Sequence, residues 1–157
     1  TIAIGEEHIS SQVHKSKPEA KVTTPITAAL KAFKKLNLKN IAVLTPYPKD
    51  VNVTVFDYLS KNDLTIDSFN SFNLNYDSEI AQVSLESLKE SIANINLDNV
   101  DGLFVSCTAL KIVDILDEVE KQFNTTVISS NQAIIWDCLQ LLDMNIKVPG
   151  YGKLFNN

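Results

Sequence analysis

Cys107 is the residue best placed by its neighbours to do chemistry. It closes an apolar run, GLFVSC, and the pattern after it predicts a helix, so the thiol falls at or near a helix N-terminus. Backbone N–H groups and the helix dipole there favour a thiolate, the form that attacks or moves a proton. The competing reading is a small buried hydrophobe at a strand end. Cys138 lies within the run Ile134, Ile135, Cys138, Leu139 and reads as core packing. Two other strand ends carry small polar donors. Ser129, Ser130 and Asn131 could bond a carboxylate or phosphate at a helix start, or only cap that helix. Thr45-Pro46-Tyr47 closes a third apolar run, and Tyr47 could offer its hydroxyl to the same ligand or serve packing alone. Thr108 adjoins the cysteine.

Several chemistries are set aside by residue type and spacing. The four glycines, Gly5, Gly102, Gly150 and Gly152, form neither a dinucleotide fingerprint nor a Walker phosphate loop. His8 and His14 lie on different helix faces and far in sequence from either cysteine, so no metal is expected. A histidine-activated cysteine or serine hydrolase has weak support for the same reason.

The elements that must position these residues follow from hydrophobic period. Near-continuous apolar runs at Ile41 to Thr45 and Leu103 to Ser106, and a shorter one at Val127 to Ser129, predict strands covered on both faces. Thr65 to Phe72 alternates and predicts a strand nearer an edge, and Lys21 to Thr23 a brief extended piece. Amphipathic stretches between them predict helices over Glu6 to Ser16, from Thr24-Pro25, over about Val51 to Lys61, from Asp77 or Ser78 through Ile92, over Ala109 to Phe123, and from Asn131 to Leu142. Lys31, Lys34 and Lys35 read as a solvated helix face. The expected architecture is α/β: a doubly wound, mainly parallel sheet of about four or five strands with helices on both faces. Ligands of such sheets bind beyond the carboxyl ends of the strands, where the three polar ends lie.

Composition bounds the class. The chain has 157 residues, 45% hydrophobic and 21% charged, which is ordinary for one globular domain able to bury a core unaided. A net charge of −5 argues against nucleic acid as a partner, and no apolar run is long enough for a membrane span. Two distant cysteines suit a reducing compartment, so a cytoplasmic location is expected.

The segments Thr24-Pro25-Ile26-Thr27-Ala28-Ala29-Leu30, IAVLTPY with Val51-Asn52 after it, GLFVSCTAL and VISSNQAIIW resemble the aspartate/glutamate racemase superfamily. They resemble most its maleate cis-trans isomerase and arylmalonate decarboxylase branch, which includes the ectoine-utilisation EutA-type proteins, and the ending PGYGKLF fits the latter. The likeness runs from about Gly5 to Phe155. It implies a cofactor-independent isomerase, racemase or decarboxylase of two similar α/β halves, with a small carboxylate or dicarboxylate, or an amino acid, between them and a cysteine from each side. Cys107 then corresponds to the second-half cysteine, a proton donor or acceptor. Tyr47 corresponds to the tyrosine that bonds the substrate carboxylate. Thr45, Pro46, Thr108, Ser129, Ser130 and Asn131 are the further substrate-binding candidates. Where the isomerases place an asparagine in the site, this chain has Tyr76 or Asp77. The first catalytic cysteine of relatives lies before the segment resembling Thr1 to Glu6.

On this reading residues 1–20 are a residual helix of an absent first half, 21–145 the α/β domain and 146–157 a C-terminal tail. The chain by itself is expected to have little or no turnover and to associate as a homo-oligomer. The other class of function left open is a non-catalytic α/β module binding a small anion or a partner protein at the same strand ends.

Overall fold

The computed structural model describes residues 1–156. Its elements are α1 (Glu6–Ser16), α2 (Pro25–Lys35), β1 (Asn40–Thr45), α3 (Lys49–Ser60), β2 (Thr65–Ser71), α4 (Asp77–Ile80), α5 (Leu85–Ala93), β3 (Gly102–Val105), a 3₁₀ turn (Ile112–Ile115), α6 (Leu116–Phe123), β4 (Val127–Ser129), α7 (Ser130–Leu141) and α8 (Lys153–Asn156). The four strands are all parallel, in the order β2-β1-β3-β4. Ile41 pairs with Gly102 and Leu103 with Val127, so the carboxyl ends of β1, β3 and β4 finish side by side.

Strand alternation divides the core into two layers. Ile41, Val43, Phe104 and Ile128 face one side, against Ala28, Ala29, Ala32 and Phe33 of α2 and Trp136 of α7. Ala42, Leu44, Leu103, Val105 and Val127 face the other, against Leu88 and Ile92 of α5 and Leu116 and Val119 of α6. Helices therefore cover both faces, which is why β1 and β3 read as unbroken apolar runs. Gly102 starts β3 because a Cβ there would meet the Thr126 carbonyl oxygen at 2.8 Å.

Helix starts follow local chemistry. Thr24 caps α2, its hydroxyl accepting the Thr27 N–H at 3.3 Å with Pro25 in the first turn. Ser129 caps α7 reciprocally with Gln132, whose Oε1 accepts the Ser129 N–H.

Five expectations are corrected. The helix read from Asp77 through Ile92 is two, because the Ser84 hydroxyl accepts the Ser87 N–H and starts a new helix there. The helix read over Ala109 to Phe123 begins only at the 3₁₀ turn, because the Asn131 side chain holds the Thr108 carbonyl and the chain turns through 108–110. Lys21 to Thr23 joins no strand.

Cys138 is exposed rather than buried. The inward face of α7 is Ala133, Trp136 and Asp137, which rotates Ile135 and Leu142 outward, 57% and 63% exposed. The carboxylate of Asp137, 3% exposed, can turn inward because Lys31 Nζ meets it at 2.7 Å and the Thr23 hydroxyl at 2.5 Å. Lys31 accordingly belongs to a helix–helix ion pair and not only to a solvated face.

The segment from Lys153 to Phe155 is docked. Leu154 and Phe155 are buried, and Glu120 anchors their backbone: one carboxylate oxygen accepts the Lys153 N–H at 2.8 Å, the other the Val127 N–H at 2.9 Å. Burial pushes the Glu120 carboxyl above its ordinary value of 4.5, only partly opposed by those two N–H donors and the Lys153 ammonium. A raised folded value means that folding takes up a proton at mildly acid pH. The stability this group contributes is complete below 4.5 and is lost as pH rises through the folded value. Urea titrations across pH 4 to 7 should therefore show a shallower decline for Glu120→Gln than for the parent protein. An unchanged slope would contradict the assignment.

Candidate functional site

β1 is followed by a crossover to β2 on one side and β3 lies on its other side, so the strand order reverses between the carboxyl ends of β1 and β3. Crevices open at such points. A cavity of about 520 Å³ lies there, lined by Tyr47 after β1, by Ser106, Cys107 and Thr108 after β3, and by Ser130 at the start of α7. Pro25 and Ile26 of α2 and Asp50, Val51, Thr54 and Val55 of α3 complete much of the wall, with Asp77 and Thr1 to Ala3. The first turns of α2, α3 and α7 all reach it. Helix N-termini of this kind favour a negatively charged group.

Cys107 is held in an unusual backbone conformation. Its φ is 116°, whereas every other non-glycine with positive φ among the described residues is an Asn or Asp between 46° and 64°. Asn and Asp tolerate that region, and a cysteine there is strained. The contacts that hold it are local. Its N–H donates to Ser130 Oγ at 3.1 Å, and its Sγ accepts the Ala109 N–H at 3.4 Å. The thiol is half-buried, not sealed.

Tyr47 faces Cys107. Its hydroxyl lies in the same cavity wall as the side chains of Cys107 and Ser106, both of which act on its proton. Burial first, then the neighbouring Cys107 and Asp77, push the phenol far above its usual value despite the opposing effect of Ser106. Tyr47 thus keeps its proton and can donate to an anion. Its backbone is fixed by two donors, Asn52 Nδ2 at 2.7 Å and Ser71 Oγ at 2.6 Å, both to the Tyr47 carbonyl. Asn52 Oδ1 in turn accepts the Thr45 hydroxyl.

The eight residues singled out from sequence therefore separate. Cys107, Tyr47, Thr108 and Ser130 meet at one cavity wall. Thr45 is fully buried and its hydroxyl serves Asn52 and Ser71. Pro46 is buried, its carbonyl accepting the Leu74 N–H. Ser129 is 1% exposed and caps α7. Asn131 lines a separate apolar cleft with Ile135 and Leu139, and its amide donates to the Thr108 carbonyl at 2.9 Å.

Ser106 and Asp50 are wall residues that sequence reasoning passed over. Ser106 stood in plain view beside Cys107, and Asp50 carried the signal of a first helical turn directly after a strand end. Asp50 and Asp77 bring negative charge to the cavity, and no Lys, Arg or His is among its described lining residues. The described residues bring together no group of three or more His, Cys, Asp or Glu suited to a metal, and no helix among them is long and apolar enough to cross a membrane.

Comparison with known proteins gives this arrangement relatives. The family model described as arylmalonate decarboxylase matches residues 6–155. The chain is similar to arylmalonate decarboxylase of Bordetella bronchiseptica, 30% identical over 137 residues, covering 85% of this chain and 57% of that protein. It is similar to maleate isomerase of Nocardia farcinica (strain IFM 10152), 24% identical over 156 residues, covering 96% of this chain and 62% of that one. Among solved structures, an arylmalonate decarboxylase superposes with a TM-score of 0.83 at 26% identity, over 97% of this chain and 68% of that chain. The Nocardia farcinica maleate cis-trans isomerase bound to TRIS superposes with a TM-score of 0.91 at 23% identity, over 96% and 62%, and shows the fold. This chain thus spans about three fifths of the length of these two curated relatives.

Proposed function

Because the chain belongs to the arylmalonate decarboxylase family, whose relatives are isomerases and decarboxylases, we propose that Cys107 moves a proton at a carbon next to a substrate carboxylate. The observation that carries this reading is Cys107 itself, strained at φ 116° on the wall of the cavity where three helices begin. Strain of this kind persists where the surrounding structure over-determines it, and it clusters at reacting groups.

The carboxylate is bound by neutral donors, since no basic side chain lines the cavity among the described residues. Tyr47, Thr108 and Ser130 supply hydroxyls, with the α2 and α7 N-termini behind them. When a carboxyl group leaves as CO₂, or a proton leaves the neighbouring carbon, the electron pair spreads onto the remaining carboxylate as an enediolate. The same donors then bind more charge than in the ground state, which is the condition for catalysis. Cys107 S–H gives its proton to the carbon, and solvent returns one to the sulfur.

In an isomerase or racemase a second group must face Cys107. Cys107 is the one thiol among the described residues lining the cavity. In this reading that facing group is a cysteine of a second half, as the resemblance implies, approached through residues 1–20. Association with a second copy is supported by the exposed Ile135 and Leu142, and a cytoplasmic location by the two free thiols.

The charge of the wall bears on substrate. A substrate's second carboxylate is disfavoured beside Asp77 and Asp50, which repel a second negative end, so a dicarboxylate loses affinity by any approach of that end to them. Asp77→Asn should tighten binding of maleate roughly threefold and leave a singly charged phenylacetate unchanged. Equal affinity of both proteins for maleate would remove Asp77 from the site. The functional reading is tested by incubating the full-length protein with phenylmalonate, maleate and α-amino acids in D₂O. Deuterium appearing at the carbon next to a carboxylate supports it, and no exchange with any of these acids overturns it.

A further inference from the structure

Two side chains of the first turn of α7 grip the polypeptide on either side of the Cys107 side chain. Ser130 Oγ accepts the Cys107 N–H at 3.1 Å, and Asn131 Nδ2 donates to the Thr108 carbonyl at 2.9 Å. The second contact reaches the sulfur through one peptide unit. The structure has no cis peptide bond, so the carbonyl of Thr108 and the N–H of Ala109 point in opposite directions within one peptide plane. Asn131 takes the carbonyl. The N–H is thereby aimed at Cys107 Sγ, which it meets at 3.4 Å.

We infer that Asn131 is a positioning residue for Cys107 and not a ligand of the substrate. This rests on the proton-transfer reading above and deepens it. Asn131 lies off the cavity that Cys107, Thr108 and Ser130 share, and its own surroundings are the apolar cleft beside Ile135 and Leu139. It therefore acts through the peptide. A hydrogen bond at the carbonyl polarises the amide, and the strengthened N–H stabilises the negative charge left on sulfur when the thiol gives up its proton. The same bond fixes the turn through 108–110, which holds Cys107 at φ 116° from its carboxyl side while Ser130 holds it from the amino side.

The test uses iodoacetamide on the full-length protein, with each cysteine followed by peptide mass spectrometry. The exposed Cys138, on the same helix, is the internal reference. Asn131→Ala removes the donor. Asn131→Asp also removes it, and a carboxylate suits the first turn of a helix, so this variant keeps the fold secure. Both should slow alkylation of Cys107 about fivefold, in line with the loss of one hydrogen bond of ordinary strength. The Cys138 rate and the concentration of phenylmalonate that half-protects Cys107 should stay as in the parent, and the melting temperature should fall by no more than roughly 4 °C. A Cys107 rate within twofold of the parent in both variants would overturn the inference. A weaker half-protection with an unchanged rate would overturn it too, by making Asn131 a substrate ligand. If no carboxylate protects Cys107 in the parent protein, the functional reading fails, and the rates still judge the role of Asn131 separately.

Discussion

Replacing Cys107 with alanine should lower proton transfer by roughly 10³-fold, the scale of a lost general acid or base, and replacing it with glycine should do the same in a more stable protein. The two variants lack the thiol equally. They differ in what the backbone costs. At φ 116° a Cβ is held in a region that side chains avoid, and glycine enters it freely. Glycine elsewhere in a chain is the less stable choice, so an order in which Cys107→Gly unfolds later than Cys107→Ala, by about 1 kcal/mol, would be a signature of strain at this position. The readouts are deuterium exchange for activity and urea denaturation for stability. Alanine more stable than glycine would show that Cys107 is unstrained. Exchange surviving in either variant would show that another group moves the proton.

Gly152→Ala should be the most damaging single-atom change to the fold. Gly152 has φ 79°, and a Cβ there would meet Leu116 Cδ2 at 2.3 Å, Gln132 Nε2 at 3.0 Å and the Glu120 carboxyl carbon at 3.2 Å. Leu116 is fully buried and cannot step aside into solvent. The left-handed backbone costs an alanine about 1 kcal/mol, and forcing a methyl into a filled core about 2 more. A total near 3 kcal/mol corresponds to a melting temperature lower by roughly 10 °C for a domain of this size. The damage should spread to the site. Gln132 Nε2 donates to the Tyr151 carbonyl at 2.7 Å while its Oε1 caps the start of α7, so loosening the tail loosens the turn that carries Ser130 and Asn131. Calorimetry showing a loss below 1 kcal/mol would mean that the tail is not docked as described.

Much of this molecule can be read from its letters, and the pattern of success has a physical reason. The strands were legible because both faces of β1 and β3 are covered, leaving Ile41 to Leu44 and Leu103 to Val105 with no polar position to blur the run. α2 and α7 were legible because Thr24-Pro25 and Ser129 through Gln132 are self-contained capping chemistry. The meeting of Tyr47 with Cys107 followed from strand ends that share one edge of a parallel sheet.

What failed depended on contacts between distant residues. Cys138 faces outward because Asp137 faces inward, and Asp137 can do so only because Lys31 and Thr23 come to it from another part of the chain. The start of the helix after Cys107 is delayed by Asn131, 23 positions away from the carbonyl it holds. Thr45, Pro46 and Ser129 sit at the right strand ends yet point into the protein, where they secure neighbouring turns. Hydrophobic period fixes which elements form. It carries no information about which polar side chain at an element's end looks into a cavity.

The central claim is that Cys107 stands in a cavity that binds a small carboxylate, and substrate protection tests it most directly. Iodoacetamide should label the exposed Cys138 at the same rate with or without ligand. Labelling of Cys107 should slow in proportion to added phenylmalonate or maleate, approaching zero at saturation, and should not respond to an equal concentration of the matching neutral ester. Equal labelling of Cys107 at every acid concentration would contradict the account and leave the thiol without a carboxylate site beside it.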